Sequence, residues 1–215
     1  MPAGGALPPV AARAAAAGVP VHLLAPGVLE RVAGTVTPQP VLAVAPRPGA
    51  DAAVLDDAAA DLVLVLAGVA DPGNAGTLLR TAEAAGATAV VVTGGSVDPF
   101  GPKCVRASAG AVFRVPVVEV DDGRARHALD RLAARGVRRL GTVVAGGRPY
   151  DEVDLTGPIA VVLGNEAHGL APAFAAAVDE AVTIPMAGRA ESLNVGMAGA
   201  VVCFEAVRQR RRAGR

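Results

Sequence analysis

Apolar runs separated by helix-like segments dominate the chain from Asp61 onward. Four of these runs contain few polar residues: 61–69 (DLVLVLAGV), 88–94 (TAVVVTG), 140–146 (LGTVVAG) and 158–164 (PIAVVLG). Continuous runs of this kind are typical of strands that are buried on both faces of a parallel sheet. Between them, TLLRTAEAAGA and RARHALDRLAARG have helical spacing and end at Gly86 and Gly136. We therefore predict an α/β unit in which helices flank a parallel sheet.

The pattern is weaker in the first 48 residues. Residues 1 to about 10 are rich in proline and glycine and are expected to be loose. Short helices are predicted at 11–18 and 27–34, and short strands at 19–24 and 40–44. Such a segment is too short to be stable alone, so we predict a small α/β appendage at 1–48, ahead of a main domain at 49–215.

The stretch from Ile184 to Phe204, IPMAGRAESLNVGMAGAVVCF, begins as a loop of small residues. Its second half has apolar residues at helical spacing, namely Leu193, Met197, Val201 and Phe204, which predicts a buried helix. Ser192 and Asn194 lie where the loop meets that helix. Short polar side chains at a helix start either cap the helix or bind a ligand, and the pattern alone leaves both readings open.

Composition narrows the class of protein. Hydrophobic residues make up 52% and charged residues 19%, which argues against disorder, and no apolar run is long enough to cross a bilayer. The N-terminus lacks the features of a secretory signal, and two cysteines do not make a disulfide framework, so we expect a cytoplasmic protein.

Charge and aromatic content restrict how any nucleic acid is bound. Twenty basic residues balance twenty acidic ones, and the basic residues concentrate at 124–139 and 208–215. Such clusters are typical of solvated helix faces or frayed tails, with RNA contact as the alternative. Aromatic residues are 2% of the chain, so a base-stacking platform is not expected. An RNA partner would be held through its phosphates and shape.

Three loops that follow predicted strands carry the candidate chemistry. In the first, ADPGNAGTLLR at 70–80, Asn74 is a candidate helix cap, and Arg80 either projects toward the same sheet edge or pairs with Glu83 at i+3. The second is LGNEAHGL at 163–170, where glycines allow close approach and Glu166 supplies a carboxylate. The third is the stretch that starts at Ile184.

These loops match no phosphate-binding or dinucleotide-binding motif, and they contain no metal-ligand set and no Ser-His-Asp arrangement. His168 is expected to face solvent or to cap, Cys203 to be a small core residue, and Cys104 to be inert. The loops predict a site for a small bound cofactor and an electrostatically assisted transfer.

The motifs carry a resemblance to a known family. They are N-x-G-x-x-x-R at Asn74, Gly76 and Arg80, G-N-E-x-x-G-L at 164–170, and I-P-M-x-G with S-L-N-V at 184–195. Together, and in this order, they resemble the SpoU (TrmH-like) family of RNA ribose 2'-O-methyltransferases over roughly residues 60 to 210. The segment 97–117 is similar too, and the closing FEAVRQRR is closest to bacterial 23S rRNA guanosine 2'-O-methyltransferases.

The resemblance implies a C-terminal deep trefoil knot that binds S-adenosylmethionine, and a homodimer whose site draws on both chains. Arg80 would then serve the partner's cofactor. The resemblance implies that the substrate is structured RNA, with rRNA favoured over tRNA. It implies no metal. Residues 1–48 would be part of a ribosomal-protein-like substrate-binding domain. The alternatives are a knotted RNA-binding or assembly protein without turnover, a tRNA 2'-O-methyltransferase, and a small-molecule methyltransferase.

The resemblance also implies the site residues. Those expected to bind the cofactor are Thr142, Val144, Ala145, Leu163, Gly164, Asn165, Ile184, Met186, Ser192 and Leu193. Those expected to take part in catalysis are Asn74, Arg80, Glu166, Ser192 and Asn194.

Because arginine stays protonated in proteins, we expect Arg80 to stabilise the developing alkoxide or to hold the adjacent RNA phosphate. Glu166 and Asn74 would orient Arg80, and Ser192 and Asn194 would position the ribose. Gly196 stands where the family commonly has Ser, which is expected to loosen the helix start by up to about 1 kcal/mol and to weaken cofactor binding.

Overall fold

The computed structural model describes residues 7–33, 37–57 and 61–214. The chain divides into two compact units, Met1–Pro46 and Arg47–Arg215. None of the described helices combines the length and the hydropathy needed to cross a membrane.

The first unit contains two short helices, α1 (Pro9–Ala16) and α2 (Val28–Val32). Both were predicted, and Gly18, in the left-handed region with φ 78°, follows the C-cap Ala17 of α1. The strands predicted at 19–24 and 40–44 are wrong, because these segments form no ladder with any described strand. Their apolar side chains are exposed, Leu23 by 75% and Val44 by 98%, so apolar composition without a pairing partner did not produce a strand.

Within the described part of the second unit, seven strands and five helices follow one another. The strands are β1 (Leu62–Ala67), β2 (Ala89–Thr93), β3 (Val117–Val120), β4 (Arg138–Thr142), β5 (Arg148–Pro149), β6 (Ile159–Gly164) and β7 (Glu180–Thr183). The helices are α3 (Pro72–Ala84), α4 (Pro102–Ala107), α5 (Asp122–Ala134), α6 (Pro172–Ala175) and α7 (Val195–Arg212). Two 3-10 helices, Ala52–Asp56 and Ala111–Phe113, complete the unit.

The strands form one parallel sheet in the order β3-β2-β1-β6-β4-β7-β5. The prediction of a parallel sheet flanked by helices is confirmed. The four apolar runs correspond to β1, β2, β4 and β6, and the strand predicted to precede Ile184 corresponds to β7. The edge strands β3 and β5 were missed, because β3 has only four residues and exposes Glu119, and β5 has only two.

Each face of the sheet has its own core. Alternate side chains of β1 point to opposite faces, as the strand period of two requires. Leu62, Leu64 and Leu66 belong to the core that includes residues of α3, α4 and α7, whereas Val63 and Val65 belong to the core that includes residues of α5. This arrangement places α3, α4 and α7 on one face of the sheet and α5 on the other.

Helix α7 is present, but its predicted buried face is wrong. Met197 and Phe204 are 56% and 47% exposed. The residues that α7 buries are mostly small: Gly196, Gly199, Val202, Cys203 and Ala206. A Cβ on Gly199 would lie 2.4 Å from Cδ2 of Leu78, so α7 lies too close to α3 for larger side chains. The regular apolar stripe therefore faces outward.

The C-terminal end of α7 holds the loop that precedes β6. The Gln209 side chain exchanges hydrogen bonds with the backbone of Val153 and Leu155, at 3.0 and 2.8 Å. Arg210 Nη2 donates to the carbonyls of Asp61 and Gly157 at 2.8 and 2.7 Å. Arg210 is therefore a structural residue rather than part of a frayed tail.

Gly76 lies at a close approach of α3 to α4. A Cβ at this position would lie 2.3 Å from the Ala107 Cβ and 2.8 Å from the Ala107 carbonyl carbon. We expect Gly76→Ala to lower the free energy of unfolding by about 1–3 kcal/mol, because backbone atoms cannot yield to the added methyl group. Urea unfolding followed by circular dichroism measures the change.

Gly123→Ala is the matched control, because it also adds a methyl group to a glycine in a helix. A Cβ there would lie 3.5 Å from Asp121 Oδ1, which is ordinary contact. We expect its stability to be unchanged or raised slightly. Equal effects of the two substitutions would contradict the proposed close contact.

Candidate active site

The carboxyl ends of β6, β4 and β7 border a cavity of about 730 Å³. Three segments line it. They are the end of β4 with the loop that follows, 142–145, the loop after β6, 164–170, and the stretch from 184 to 202, with Ala175 and Val182 completing the wall. The cavity therefore lies where ligands gather in parallel sheets, beyond the carboxyl ends of the strands.

Most of the residues predicted to bind the cofactor line this cavity: Thr142, Val144, Ala145, Gly164, Asn165, Ile184, Met186, Ser192 and Leu193. Leu163 is the exception, because its side chain is fully buried in the core beneath.

The loop after β6 turns back sharply over Gly164. A Cβ on Gly164 would lie 2.3 Å from the carbonyl carbon of Gly169, so only glycine fits. Asn165 and Gly169 exchange backbone hydrogen bonds of 2.9 and 2.8 Å. Asn165 Oδ1 accepts from the backbone N–H groups of Ala167 and His168, and its Nδ2 donates to the Gly68 carbonyl at 3.0 Å. The Asn165 amide thus closes the loop and joins it to the end of β1.

Glu166 holds the start of α3. Its Oε2 accepts from the N–H of Ala70 at 3.1 Å, and its Oε1 accepts from the N–H of Asp71 at 3.0 Å and from Asn74 Nδ2 at 2.9 Å. Burial on its own would raise the pKa of Glu166, but the hydrogen bonds from Asn74 and from the backbone outweigh it and hold the pKa below its ordinary value. Glu166 is therefore a carboxylate at neutral pH.

Asn74 is not the helix cap that was predicted. Asp71 caps α3, accepting from the N–H of Asn74 at 2.8 Å, because the helix begins at Pro72. The Asn74 side chain is thereby free to join two other loops. Besides its bond to Glu166, its Oδ1 accepts from Asn194 Nδ2 at 2.7 Å.

Asn194 caps α7. Its Oδ1 accepts from the N–H groups of Gly196 and Met197 at 2.9 and 3.3 Å. A Cβ on Gly196 would lie 3.1 Å from this oxygen and 3.1 Å from Thr77 Cγ2, so glycine lets the cap and α3 come close. The structure brings Asn74, Glu166 and Asn194 together in one hydrogen-bonded chain that links all three predicted loops.

Two predicted catalytic residues lie outside this chain. Ser192 is exposed and lines the cavity. Arg80 is exposed on α3 and is not part of the cavity wall of its own chain. The alternative pairing of Arg80 with Glu83 is wrong, because Glu83 Oε1 accepts from Arg114 Nε at 2.9 Å. Among the described residues, Arg80 has no hydrogen bond or ion pair.

The other candidate nucleophiles and bases have the non-catalytic roles that the sequence predicted. His168 is exposed, and its backbone N–H binds Asn165. Burial raises the pKa of Cys104 to about 11 and that of Cys203 to about 12, so neither forms a thiolate near neutral pH. Within the described part of the chain, no group of three or more His, Cys, Asp or Glu side chains is arranged to hold a metal ion.

Several wall residues were not predicted: Glu191, Val195, Ala198 and Val202 from the last stretch, and Leu170 and Ala175 near α6. Glu191 and Val195 are adjacent in sequence to predicted residues, and this adjacency could have identified them. Ala198 and Val202 have no signal of their own, because they look like ordinary helix residues.

The sequence of this chain is similar to those of known methyltransferases. The model of the SpoU rRNA methylase family matches residues 61–204. The 23S rRNA (guanosine(2553)-2'-O)-methyltransferase RlmP of Bacillus subtilis is 36% identical over 87% of this chain and 72% of its own length. The 23S rRNA (guanosine-2'-O-)-methyltransferase RlmB of Pseudomonas putida is 41% identical over 69% of this chain and 59% of its own length.

A solved structure is similar as well. The SpoU methyltransferase AviRb from Streptomyces viridochromogenes, in complex with the cofactor AdoMet, has a TM-score of 0.66 and 36% identity, over 71% of this chain and 58% of AviRb. This chain thus spans less than two thirds of the length of RlmB and of AviRb. The family model covers both the cavity and the hydrogen-bonded chain beside it, and the protein belongs to the SpoU rRNA methylase family.

Proposed function

We propose that the protein transfers a methyl group from S-adenosylmethionine to a ribose 2'-hydroxyl in structured rRNA. The observation that supports this most is the cavity, because two of its three walls, 164–170 and 184–202, carry family motifs. Asn74 of the remaining motif is hydrogen-bonded to residues of both, Glu166 and Asn194. The relatives RlmP and RlmB are named for 2'-O-methylation of 23S rRNA guanosines, which makes a 23S guanosine the first substrate to test. An enzyme that modifies rRNA would work in the cytoplasm.

The cavity fits S-adenosylmethionine in size and character. Its volume of about 730 Å³ lies within the range of small-molecule sites, about 300–1,000 Å³. Ile184, Met186 and Leu193 contribute apolar side chains to its wall, and so do Val144 and Ala145 in the loop after β4. When bound, the cofactor supplies a methyl group on a positively charged sulfur.

The residues beside the cavity favour positioning over proton abstraction. Glu166 is a poor general base, since its carboxylate already accepts three hydrogen bonds from the described residues and its pKa is lowered. The amide of Asn194 is also committed, to Asn74 and to the start of α7. We assign Glu166, Asn74 and Asn194 to holding the loops in register, and Ser192 to contacting the ribose.

Arg80 is assigned to charge stabilisation. It remains protonated, so it stabilises the alkoxide that develops on the ribose oxygen, or it holds an adjacent phosphate that takes the proton. Its position outside the cavity of its own chain supports action on the cavity of a second chain.

A homodimer is proposed from the outer face of α7 and from Leu193, two residues before the helix begins. Leu193, Met197 and Phe204 are 41%, 56% and 47% exposed, and Val201 lies between the last two. An apolar stripe of this kind is typical of a surface that another chain covers. The threading of the C-terminal segment into a trefoil knot remains a prediction, which mechanical extension from both termini would measure.

We expect purified protein to transfer tritium from labelled S-adenosylmethionine to 23S rRNA taken from cells that lack the enzyme. Ala145→Trp, which fills the cavity from an exposed loop position, should abolish transfer. Mapping the methylated nucleotide then identifies the target. Binding of rRNA without transfer would instead favour an assembly protein, and transfer to tRNA alone would contradict the rRNA assignment.

We expect Arg80→Lys to reduce the rate by about tenfold or more, since lysine keeps the charge but loses the planar array of donors. The pH profile of the rate between pH 7 and 9 should keep its shape. Arg126→Lys, on the opposite face of the sheet, is the control and should leave the rate unchanged. A near-normal rate that follows the titration of the new lysine would show that position 80 acts as a true base.

The dimer and the shared site are tested together by mixing two inactive variants. Arg80→Ala keeps its cavity intact, and Ala145→Trp keeps its arginine. If Arg80 serves the partner's cavity, co-expression should restore about a quarter of normal activity, because half of the dimers are mixed and each mixed dimer has one complete site. If Arg80 serves its own cavity, no mixed dimer has a complete site and activity should stay absent.

A further inference from the structure

Three cations without partners lie on the face formed by α3 and α4. Lys103 and Arg106 are exposed on α4, and Arg80 is exposed on α3. Among the described residues, none of the three has a hydrogen bond or an ion pair. Many other arginines of this unit are neutralised, although Arg135, Arg189, Arg211 and Arg212 form no ion pair with the described residues. Arg47, Arg114, Arg124, Arg126, Arg131, Arg139, Arg148 and Arg208 all pair with carboxylates.

The packing of α3 places Arg80 beside the segment 106–114. Gly76 lies against Ala107, and Glu83 binds Arg114 at 2.9 Å. Arg80 is four residues after Gly76 and three before Glu83, so all three share one face of the helix. Arg80 therefore lies between two contacts that both involve the segment 106–114.

The α4 cations lie on the outer side of their helix. Cys104 is fully buried and Ala107 packs on Gly76, so these residues mark the inner side. Lys103 and Arg106 are three residues apart and lie together on the exposed side. The nearby acids do not cancel these charges, because Glu83 pairs with Arg114, and Asp98 lies 3.3 Å from Arg47.

An exposed aromatic ring follows α4 in the chain. In the 3-10 helix that follows α4, Ala111 and Val112 are buried but Phe113 is 55% exposed. The turn between the two helices is held in a fixed form, with Ala109 and Gly110 both left-handed at φ 49° and 85°. Ser108 Oγ donates to the Val105 carbonyl at 2.8 Å within the same turn.

We propose that Lys103, Arg106 and Phe113 bind the single-stranded RNA that flanks the target nucleotide. This inference rests on the proposed function. The cations contact phosphates, and the ring stacks on one unpaired base, while Arg80 connects the surface to the reaction. A single exposed ring is less than the stacking platform that the composition excludes, so the phosphate contacts supply most of the affinity.

The test uses full-length variants and a 23S rRNA transcript as substrate. We expect Lys103→Ala with Arg106→Ala to raise the KM for RNA about tenfold and to lower the salt slope of log KM by about 1.4, as for two single-strand phosphate contacts. The kcat and the affinity for S-adenosylmethionine should stay within twofold of normal. Phe113→Ala should raise KM about fivefold, and Phe113→Tyr should restore it, because the ring still stacks.

Arg124→Ala with Arg126→Ala is the matched control. It also removes two exposed cationic side chains, but from α5 on the opposite face of the sheet. It should leave the KM for RNA unchanged. Equal effects of the two double variants, or no effect of the α4 variant, would overturn the inference.

A failure of this inference is distinguishable from a failure of the proposed function. If the wild type transfers no methyl group to RNA, the proposed function fails, and fluorescence anisotropy with the labelled transcript still compares the same variants. If Phe113→Ala shifts the sedimentation coefficient to that of a monomer, the surface is a contact between subunits and the RNA assignment is wrong.

Discussion

Glu166 accepts hydrogen bonds from the first turn of α3, and through this carboxylate the loop after β6 is tied to the loop after β1. Asn74 extends the tie to Asn194, which in turn caps α7. Three segments that are distant in sequence thereby take fixed positions at one edge of the sheet. Removal of the carboxylate would leave two backbone N–H groups at the start of α3 and one amide without this partner, which is costly wherever water cannot replace it.

The same edge depends on residues without side chains. Gly164 allows the loop after β6 to fold back over its own strand, Gly199 allows α7 to approach Leu78, and Gly76 allows α4 to approach α3. Each glycine costs conformational entropy on folding. In return, these glycines bring the segments close together. The hydrogen bonds among Glu166, Asn74 and Asn194 require this, because they form only when the loops lie almost in contact.

The five inner strands and the main helices could be predicted from sequence because long apolar runs have few alternatives. Details that depend on packing against other elements could not be predicted. The stripe of Met197 and Phe204 has perfect helical spacing, yet the inner face of α7 is made of glycine and alanine, which periodicity weighs lightly. Asn74 looked like a cap because Asp71 and Pro72 resembled a turn, whereas Pro72 opens the helix and Asp71 caps it.

The cavity residues, too, could be predicted only in part from the sequence. Family motifs identified Gly164, Ile184 and Ser192 as wall residues, and the structure places them around one cavity. Leu163 comes directly before the motif that begins at Gly164 but does not line the cavity, because it lies within β6 and its side chain is fully buried in the core. Ala198 and Val202 reach the wall only through the packing of α7, which no local pattern reveals.

A chain with no net charge must attract RNA through the distribution of its charges. Exposed ion pairs such as Arg126 with Asp130 contribute little to stability, typically about 0–1 kcal/mol. Their larger effect is on the surface potential, because each pair removes a positive charge from its surroundings. With many arginines neutralised in this way, the unpaired cations of α3 and α4 are among the positive charges that remain available to phosphates. The pairing of charges elsewhere thus helps to direct a phosphate backbone toward Arg80.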